Sequence, residues 1–302
     1  MTTHRSRLNR QSLLLGLLVT GGLALASGLA IAPVQAQSIV PRRPALDHHL
    51  TACGWESAPL IQSSDPITYY IYLPIITKAE SCSPIPGETY DVLSVNPPPT
   101  DRPADTHADL NLSMRSYELT AAYKGLVDYN GGGDGNAPQL PGLFADNRTG
   151  VISDVYRVYD WNWSCNCRGA LLPTYPYSVT LAGLATTPGE TVHVPDSGYG
   201  IGALANGYEV LVLYATLDRI TLKYTREDNV VHGYTLHVEN VCVEPSLLSL
   251  YQEWNAAGRS KLPALHPGQA FGRAQGDAIG VAIRDNGTFM DPRSRKDWWR
   301  GR

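Results

Sequence analysis

The sequence predicts a mainly β fold, a β-sandwich or barrel-like domain with one inserted helix. The first observation is composition: the 302 residues include 17 Tyr, 28 Gly and 22 Pro but only three Phe and three Met. That balance is typical of strand-rich, turn-rich domains rather than helical bundles. The second observation is that short apolar runs recur between Gly, Pro and polar turn signals. The third is that a single segment has apolar residues at clear helical offsets.

Seven runs of the chain have the apolar and β-branched character of strands. In chain order they are residues 156–159, 178–184, 191–194, 208–214, 219–225, 234–243 and 279–284. The predicted helix runs from Pro245 to Ala257, because Pro suits the first turn of a helix and Gly258 suits its end. Strands at this spacing indicate one all-β domain.

The charge balance limits the classes of partner. With 28 acidic and 24 basic side chains the formal net charge is −4, which argues against a strongly basic nucleic-acid binder. Removal of residues 1–36 would take away three arginines and no acid and bring the charge to −7. No nucleic-acid or other polyanionic partner is expected.

The amino-terminal 36 residues have the pattern of an export signal. Arg5, Arg7 and Arg10 precede an apolar stretch, and the segment ends in a small-x-Ala sequence at Ala36. This pattern predicts a signal peptide, residues 1–36, that is cleaved after Ala36, with no transmembrane segment left in the mature chain. An uncleaved membrane anchor is the alternative, because the apolar stretch is nearly long enough to span a bilayer. Either interpretation predicts a secreted or cell-envelope-associated protein.

Two further regions follow the signal. Residues 37–105 are dense in proline, including the run Pro97-Pro98-Pro99, and we interpret them as an N-terminal linker region. Residues 106–302 are predicted to form the β-rich folded domain, with a basic aromatic C-terminal tail. Some 195 residues are enough for one domain with a core of its own.

The cysteines are expected to form disulfides, the default in an exported chain. Cys53 and Cys82 could close a loop within the proline-rich region. Cys165 and Cys167 are separated by one residue, which is too tight for an easy mutual bridge, so we expect one of them to pair with Cys242. Five is an odd number, so one thiol is left over or pairs between chains.

The most informative motifs lie in the last third of the chain. A Gly268-Gln269 turn is followed by a strand that ends in Ile283-Arg284, then a turn and Asp291-Pro292. This order resembles the end of the lysostaphin-like zinc metallopeptidases, which have the duplicated-hybrid-motif fold. Upstream, the segment 233–237 is similar to a second family motif, and the segment 156–160 is similar, more loosely, to its first metal-binding motif. The resemblance covers about residues 154–292.

The departures from the family pattern control what the resemblance implies. The family holds zinc with a His and an Asp of the first motif and the second His of the last, leaving a position open for water. Here Tyr156 stands at the first His position, Asp160 is retained, and the His-Leu-His positions fall on residues 278–280, which are Ala-Ile-Gly. His237 matches a catalytic histidine that is not a ligand. The resemblance therefore implies a related fold without the peptidase activity.

Two functional hypotheses follow. The first is a secreted non-catalytic module, a pseudoenzyme without cofactor, that binds cell-wall peptide or glycan. The second is a secreted zinc-dependent peptidoglycan or peptide hydrolase with a rearranged metal site, in which Asp160 is a ligand and His237 takes part in catalysis. His193, His232 or Glu239 would then supply further ligands, and the spacing of His237 and Glu239 places both on one strand face. A structural surface protein without a small ligand is a third possibility.

Two aromatic segments are candidate binding surfaces. Trp161 and Trp163 point the same way on an extended chain, and the flanking Asp160 and Asn162 can hydrogen-bond hydroxyl groups, a combination that suits sugar or peptide ligands. Tyr156 is a further candidate ligand-binding residue. The alternative is that the tryptophan pair packs as core. Near the C-terminus, the pair at 298–299 lies among five basic residues. That tail either docks on an anionic surface or covers an apolar patch of the domain.

Overall fold

Long antiparallel strands dominate the chain, and the mainly β class with one inserted helix is confirmed. The computed structural model describes residues 82–198 and 207–302. Within these residues we number the strands β1 (Asp91–Ser94), β2 (Tyr117–Leu119), β3 (Ile152–Asn162), β4 (Cys167–Leu171), β5 (Leu181–Ala185), β6 (Thr191–His193), β7 (Val210–Ala215), β8 (Arg219–Lys223), β9 (Tyr234–Glu239), β10 (Val241–Val243), β11 (Lys261–Leu265), β12 (Ala270–Ala274), β13 (Ala278–Asp285) and β14 (Thr288–Met290).

The described strands form two sheets. In the large sheet the order is β1-β11-β7-β8-β9-β13-β5-β3-β2, with β14 paired to β13 and β4 paired to β3. The small sheet has the order β10-β12-β6. Every pair of named strands in both sheets is antiparallel. Strands that are distant in sequence therefore become neighbours, and β13 lies between β9 and β5.

Three short helical segments and two turns of 3-10 helix complete the described structure. The helices are α1 (Leu112–Arg115), α2 (Pro245–Ala256) and α3 (Arg295–Trp298), and the 3-10 turns are Ala104–Thr106 and Leu140–Leu143. The predicted helix is α2, which begins at Pro245 and is followed by Gly258 with a positive φ of 89°. Left-handed backbone of this kind is why glycine suits the end of a helix.

Each of the seven predicted strand runs overlaps an observed strand, with two kinds of difference. The run 234–243 breaks at Asn240, whose φ of 60° turns the chain between β9 and β10. Six strands, namely β1, β2, β4, β11, β12 and β14, were not predicted. They are three to five residues long and three contain Pro or Gly, so their sequences lack the apolar runs by which strands are recognised.

The two faces of the large sheet differ in chemistry. Alternate residues of β8, β9 and β13 are apolar and join the main core with the small sheet, α2 and the C-terminus. The other face carries polar side chains, and we call it the polar face. Its members on β8, β9 and β13 are Arg219, Thr221, Lys223, Thr235, His237, Glu239 and Arg284. Six of these seven are buried, although strand polar residues at this period usually face water.

The polar face is buried because another part of the chain covers it. Leu112 of α1 packs in a second apolar cluster with Val158, Leu181, Ala282 and Phe289, and Tyr117 and Tyr156 pack against this cluster. The carbonyl of Leu110 accepts a hydrogen bond from Thr221 Oγ1 at 2.7 Å. The segment that contains α1 and β2 thus closes most of the face, and the part left open is the cleft described below.

The proline-rich region is not a linker over its whole length. Strand β1 lies inside it and pairs antiparallel with β11, and Cys82 forms a disulfide with Cys242. The predicted boundary at residue 106 is therefore corrected: residues 82–105 belong to the folded unit. All described residues belong to one compact unit, Leu73–Arg302. The predicted signal, residues 37–81 and Cys53 lie outside the described residues.

The disulfide pairings also differ from those expected. Cys82 bonds to Cys242 rather than to Cys53, and Cys165 bonds to Cys167 despite the single intervening residue. A tight turn with left-handed Asn166, φ 50°, brings Cys165 and Cys167 to a Cα separation of 5.3 Å. That separation lies within the range that a disulfide requires.

The C-terminal tryptophans belong to the core. Trp298 and Trp299 are 1% and 0% exposed, and their ring N–H groups donate to the carbonyls of Asp291 and Pro292. The interpretation that this tail covers an apolar patch is confirmed. Over the described ranges, none of the helices has both the length and the apolar character needed to cross a membrane.

Candidate functional site

The histidine predicted from the resemblance is enclosed in the protein. His237 is 0% exposed, and its Nδ1 lies 3.0 Å from Thr221 Oγ1. The Thr221 hydroxyl has one hydrogen, which it donates to Leu110, so it accepts from His237 and the proton lies on Nδ1. Nε2 is buried and has no hydrogen-bond partner among the described residues. Burial, aided by Arg284, lowers the pKa of His237 to about 3, so the ring is neutral.

Around His237 the charges are arranged as ion pairs rather than as metal ligands. Asp109 Oδ1 lies 2.7 Å from Arg115 Nη2 and 2.7 Å from Arg284 Nη1. Burial alone would raise the pKa of Asp109, but the two guanidinium groups outweigh it and lower that pKa to about 2. Arg115 also pairs with Asp160, so these carboxylates are engaged by guanidinium groups rather than free to bind a divalent cation.

The residues implied by the resemblance do not fit a zinc site. Tyr156 and Gly280 offer no imidazole, and the Asp160 side chain is 64% exposed and paired with Arg115 at 3.5 Å. His193 lies in the small sheet, and His232 is exposed in a loop. Within residues 82–198 and 207–302 no three His, Cys, Asp or Glu side chains could hold one metal ion together. The structure therefore does not assemble the rearranged metal site.

The open part of the polar face is a cleft of about 370 Å³, which we call the Glu239 cleft. Its lining comes from β2, β3, β5, β8, β9 and β13 and from the turns next to them. The residues are Tyr117, Tyr156, Leu181, Gly183, Asp218, Arg219, Glu239, Asn240, Gln275, Ala278 and Gly280. Three of them, Tyr156, Ala278 and Gly280, are the positions at which the resemblance implied histidine. At these three positions the protein therefore has a phenol ring, a methyl group and bare backbone instead of the imidazole ligands of the family.

Glu239 and Arg219 are the charged pair of the cleft. They face each other across β8 and β9, and Arg219 Nε lies 3.3 Å from Glu239 Oε2. The two groups are at ion-pair distance without hydrogen-bond alignment, since Arg219 Nε is buried and lacks a hydrogen-bond partner in the described structure. Arg219 Nη2 also contacts Asp218 Oδ2 at 2.7 Å. The pair therefore has unused hydrogen-bonding capacity beside an open cleft.

Burial sets the protonation of Glu239. The residue is 5% exposed, and desolvation raises its pKa to about 7 although Arg219 acts in the opposite direction. Near neutral pH its carboxyl therefore exists both as an acceptor-only carboxylate and as a protonated group that can donate. A titratable group of this kind in a cleft is typical of functional sites.

Two glycines form the floor of the cleft. Gly280 lies opposite Gly183 in the register of β13 and β5, and it lies opposite Glu239 on the β9 side. A Cβ at Gly280 would stand 3.3 Å from the Cβ of Glu239, and one at Gly183 would stand 2.8 Å from Ser153 Oγ. Both glycines line the cleft, and a larger residue at either position would have to displace Ser153 or Glu239.

Two larger clefts adjoin the Glu239 cleft at Asp218. One, of about 580 Å³, shares Asp218 and Gln275 with it and is bordered by the Cys82–Cys242 disulfide. The other, of about 460 Å³, shares Asp218 and continues to Tyr251 on α2. Leu217 borders both of these clefts and is 49% exposed. The arrangement provides three adjoining concavities around one turn, that between β7 and β8.

The fold places the predicted aromatic binding residues in two different regions of the protein. Tyr156 lines the Glu239 cleft and makes an edge-on contact with Tyr117, with ring centroids 5.4 Å apart. Trp161 is 6% exposed, whereas Trp163 is 40% exposed. Neither tryptophan nor Asn162 lines the cleft.

The two tryptophans have different surroundings at the tip of the β3–β4 hairpin. Trp161 donates from its ring nitrogen to Asn166 Oδ1 at 3.4 Å. Trp163 packs against the His107 ring, and the Arg102 guanidinium lies 4.6 Å from its ring centroid. Trp161 is therefore largely a packing residue, while Trp163 keeps an accessible edge.

Sequence reasoning missed Arg219, Asp218 and Tyr117 as parts of a site. A signal for the first was present, because Arg219, Thr221 and Lys223 alternate with apolar residues along β8 in the same way as the polar residues of β9. Two neighbouring strands with this alternation would have predicted a shared polar face. The position of Tyr117 on a three-residue strand had no comparable signal.

Comparison of the chain with models of protein families, with curated proteins and with solved structures finds no match.

Proposed function

We propose that this protein is a secreted or envelope-associated, non-catalytic module that binds cell-wall peptide or glycan in the Glu239 cleft. The observation that carries the proposal is the pair of buried Glu239 and half-buried Arg219 beside an open cleft, in which the buried Arg219 Nε has no hydrogen-bond partner among the described residues. Buried polar groups are normally satisfied, and those left in excess are satisfied by a ligand or by water. The export pattern of residues 1–36 supports an extracellular ligand.

The chemistry of the cleft suits polar ligands with both donors and acceptors. Arg219 offers donors to carboxylates or carbonyls, while Glu239 and Asp218 accept from ammonium, amide or hydroxyl groups. Tyr117 and Tyr156 add aromatic surface with hydroxyl groups, as is common in sugar and peptide sites. The two adjoining clefts extend this surface beyond one ligand unit, which favours a chain-like ligand over a compact one.

Calorimetric titration with purified muropeptides, which carry both glycan and stem peptide, tests this proposal. We expect Glu239→Gln and Tyr156→Ala each to weaken binding by about 10-fold, since a hydrogen bond to a charged group contributes about 1.5–3 kcal/mol. Glu253→Gln on the exposed side of α2 and Tyr175→Ala, at an 85% exposed tyrosine, repeat the same chemical changes outside the cleft and are expected to leave binding unchanged.

Two further variants test the alternatives. Trp163→Ala tests the tryptophan segment as the binding surface, and Asp160→Ala tests the zinc-dependent hydrolase. Trp163→Ala weakens binding only if the tryptophan segment, rather than the cleft, holds the ligand. Equal affinity of the cleft variants and the native protein would contradict the proposal. One equivalent of zinc per chain, lost in Asp160→Ala together with cleavage of the muropeptide, would instead establish the zinc-dependent hydrolase.

A further inference from the structure

The disulfide between Cys165 and Cys167 lies at an exposed tip of the fold. Cys165 lies in the turn between β3 and β4, Cys167 is the first residue of β4, and both are exposed. By contrast, Cys82 of the other bridge is 6% exposed. Reagents in solution therefore reach the hairpin disulfide without any opening of the core. Exposed disulfides are those that exchange most readily with thiols.

The hairpin does not depend on this disulfide for its shape. The ladder of β3 and β4 continues to the pair Asn162 and Cys167. Within the turn, Asn162 Oδ1 accepts from the backbone N–H of Ser164 at 3.0 Å, and Trp161 donates to Asn166. Reduction would leave these bonds in place.

The reduced form has a hydrogen-bond partner ready. The sulfur of Cys165 lies 3.5 Å from the carbonyl oxygen of Asn162, which can accept from a Cys165 thiol. The backbone of the turn therefore fits both redox states: on reduction the two sulfurs move apart from bonding distance, and the Cys165 thiol has this carbonyl as its acceptor.

The two disulfides also differ in how much they stabilise the fold. A disulfide stabilises the fold in proportion to the chain entropy that it removes, and folding stabilises the disulfide by the same amount. The sequence separations are 160 for Cys82–Cys242 and 2 for Cys165–Cys167. By the loop-closure relation, the long-range bridge contributes more to the stability of the fold than the short bridge does. The short bridge contributes little to stability.

We propose that Cys165 and Cys167 form a thiol–disulfide exchange site that reacts reversibly with external dithiols, while Cys82–Cys242 is the structural bridge. A thiolate of the dithiol attacks one sulfur of the hairpin disulfide and forms a mixed disulfide with it. The bond between the two protein sulfurs breaks, and its electron pair moves to the other cysteine, which takes up a proton. The second thiol of the reagent then displaces the first cysteine. The reagent leaves as a disulfide, and the protein holds two thiols.

Differential alkylation of the purified protein tests the proposal without any variant. The protein is equilibrated with increasing dithiothreitol, alkylated, and digested with trypsin. Cleavage after Arg157 and Arg168 places both hairpin cysteines in one peptide, and the peptides of Cys53, Cys82 and Cys242 are followed separately. We expect the hairpin peptide to be half-reduced at a dithiothreitol concentration at least about 10-fold lower than the peptides of Cys82 and Cys242, because exposed disulfides are reduced more readily than structural ones.

The reverse reaction is measured with oxidised glutathione. All proteins in this experiment carry Cys53→Ser, so that the leftover thiol does not react. The selectively reduced protein is expected to release two glutathione molecules per chain as the Cys165–Cys167 bond re-forms. Adding Cys165→Ser is expected to stop the reaction at a mixed disulfide on Cys167, and changing both hairpin cysteines to Ser is expected to abolish release while the circular dichroism stays that of the native protein. Reduction of both bridges at the same dithiothreitol concentration, or a reduced hairpin that does not react with oxidised glutathione, would overturn the proposal.

Discussion

Glu239 combines burial, a strand position and a charged neighbour, and these three conditions decide its chemistry. On β9 it faces Arg219 of β8 and Gly280 of β13, so a guanidinium lies on one side and open space on the other. Its pKa of about 7 means that folding holds a proton that the unfolded chain releases near pH 4.5. The residue therefore couples the stability of the fold to pH.

The sign of this coupling follows from proton counting. Between pH 4.5 and about 7 the folded protein binds more protons at Glu239 than the unfolded chain does, so this group lowers stability as pH rises. We expect Glu239→Gln to gain about 2–3 kcal/mol of unfolding free energy relative to the native protein between pH 5 and pH 8. Urea unfolding of both proteins at the two pH values measures this difference. Glu253→Gln makes the same chemical change at an exposed position and is the matched control, and a Glu239→Gln difference that is flat with pH would contradict the assigned pKa.

His237 illustrates how a site residue acquires a role different from that suggested by its motif. The spacing of His237 and Glu239 correctly predicted a shared strand face. An isolated polar residue on a strand normally meets water, whereas here the α1 segment covers His237 and fixes its tautomer through Thr221. The covering contacts come from more than 100 positions away along the chain, and no local pattern contains them.

At the scale of elements, helix α2 was the segment most fully predictable from sequence. Its apolar residues Leu247, Leu248 and Tyr251 are buried, and Pro245 stands in its first turn. The cap is less usual, because Glu244 accepts hydrogen bonds from the backbone N–H groups of residues 246 and 247. A carboxylate at this end of a helix satisfies free donors and interacts favourably with the helix dipole.

Removal of this cap gives a prediction for the element. Glu244→Ala is expected to lower the unfolding free energy by about 1–2 kcal/mol, because two backbone donors lose their acceptor. Glu253→Ala, eight residues into the same helix on its exposed side, is the matched control and is expected to change stability by less than about 0.5 kcal/mol. Urea unfolding at pH 7 compares the two, and equal effects would show that the carboxylate does not act as a cap.

At the scale of the whole molecule, the segment before residue 106 completes the domain. Strand β1 covers an edge of β11, and Cys82 ties that segment to Cys242 at the start of the helix region. A sheet edge without such a neighbour presents unpaired backbone groups that promote association between chains. Residues 82–105 therefore contribute to the stability of the folded unit, because β1 pairs with the edge of β11.

Truncation tests this conclusion. A chain of residues 106–302 is expected to unfold about 10 °C below a chain of residues 73–302 and to aggregate, since it loses a strand and a disulfide worth about 2–5 kcal/mol. Thermal unfolding followed by circular dichroism and light scattering measures both effects. Cys82→Ser in the longer chain separates the contribution of the disulfide from that of the strand. Equal melting temperatures for the two chains would place the true domain boundary back at residue 106.

The sequence by itself determined the mainly β class, the position of α2, the cores of seven strands and the shared face of His237 and Glu239. These features depend on residues that are close in sequence, where hydrophobic period and turn chemistry act directly. The tertiary structure alone decided the cysteine pairing, the role of β1, and the enclosure of His237. It also decided that Tyr156, Arg219, Glu239 and Gly280 would meet in one cleft. These features depend on the order of strands in the sheet, which brings distant segments together through burial of surface and pairing of edges that no local pattern encodes.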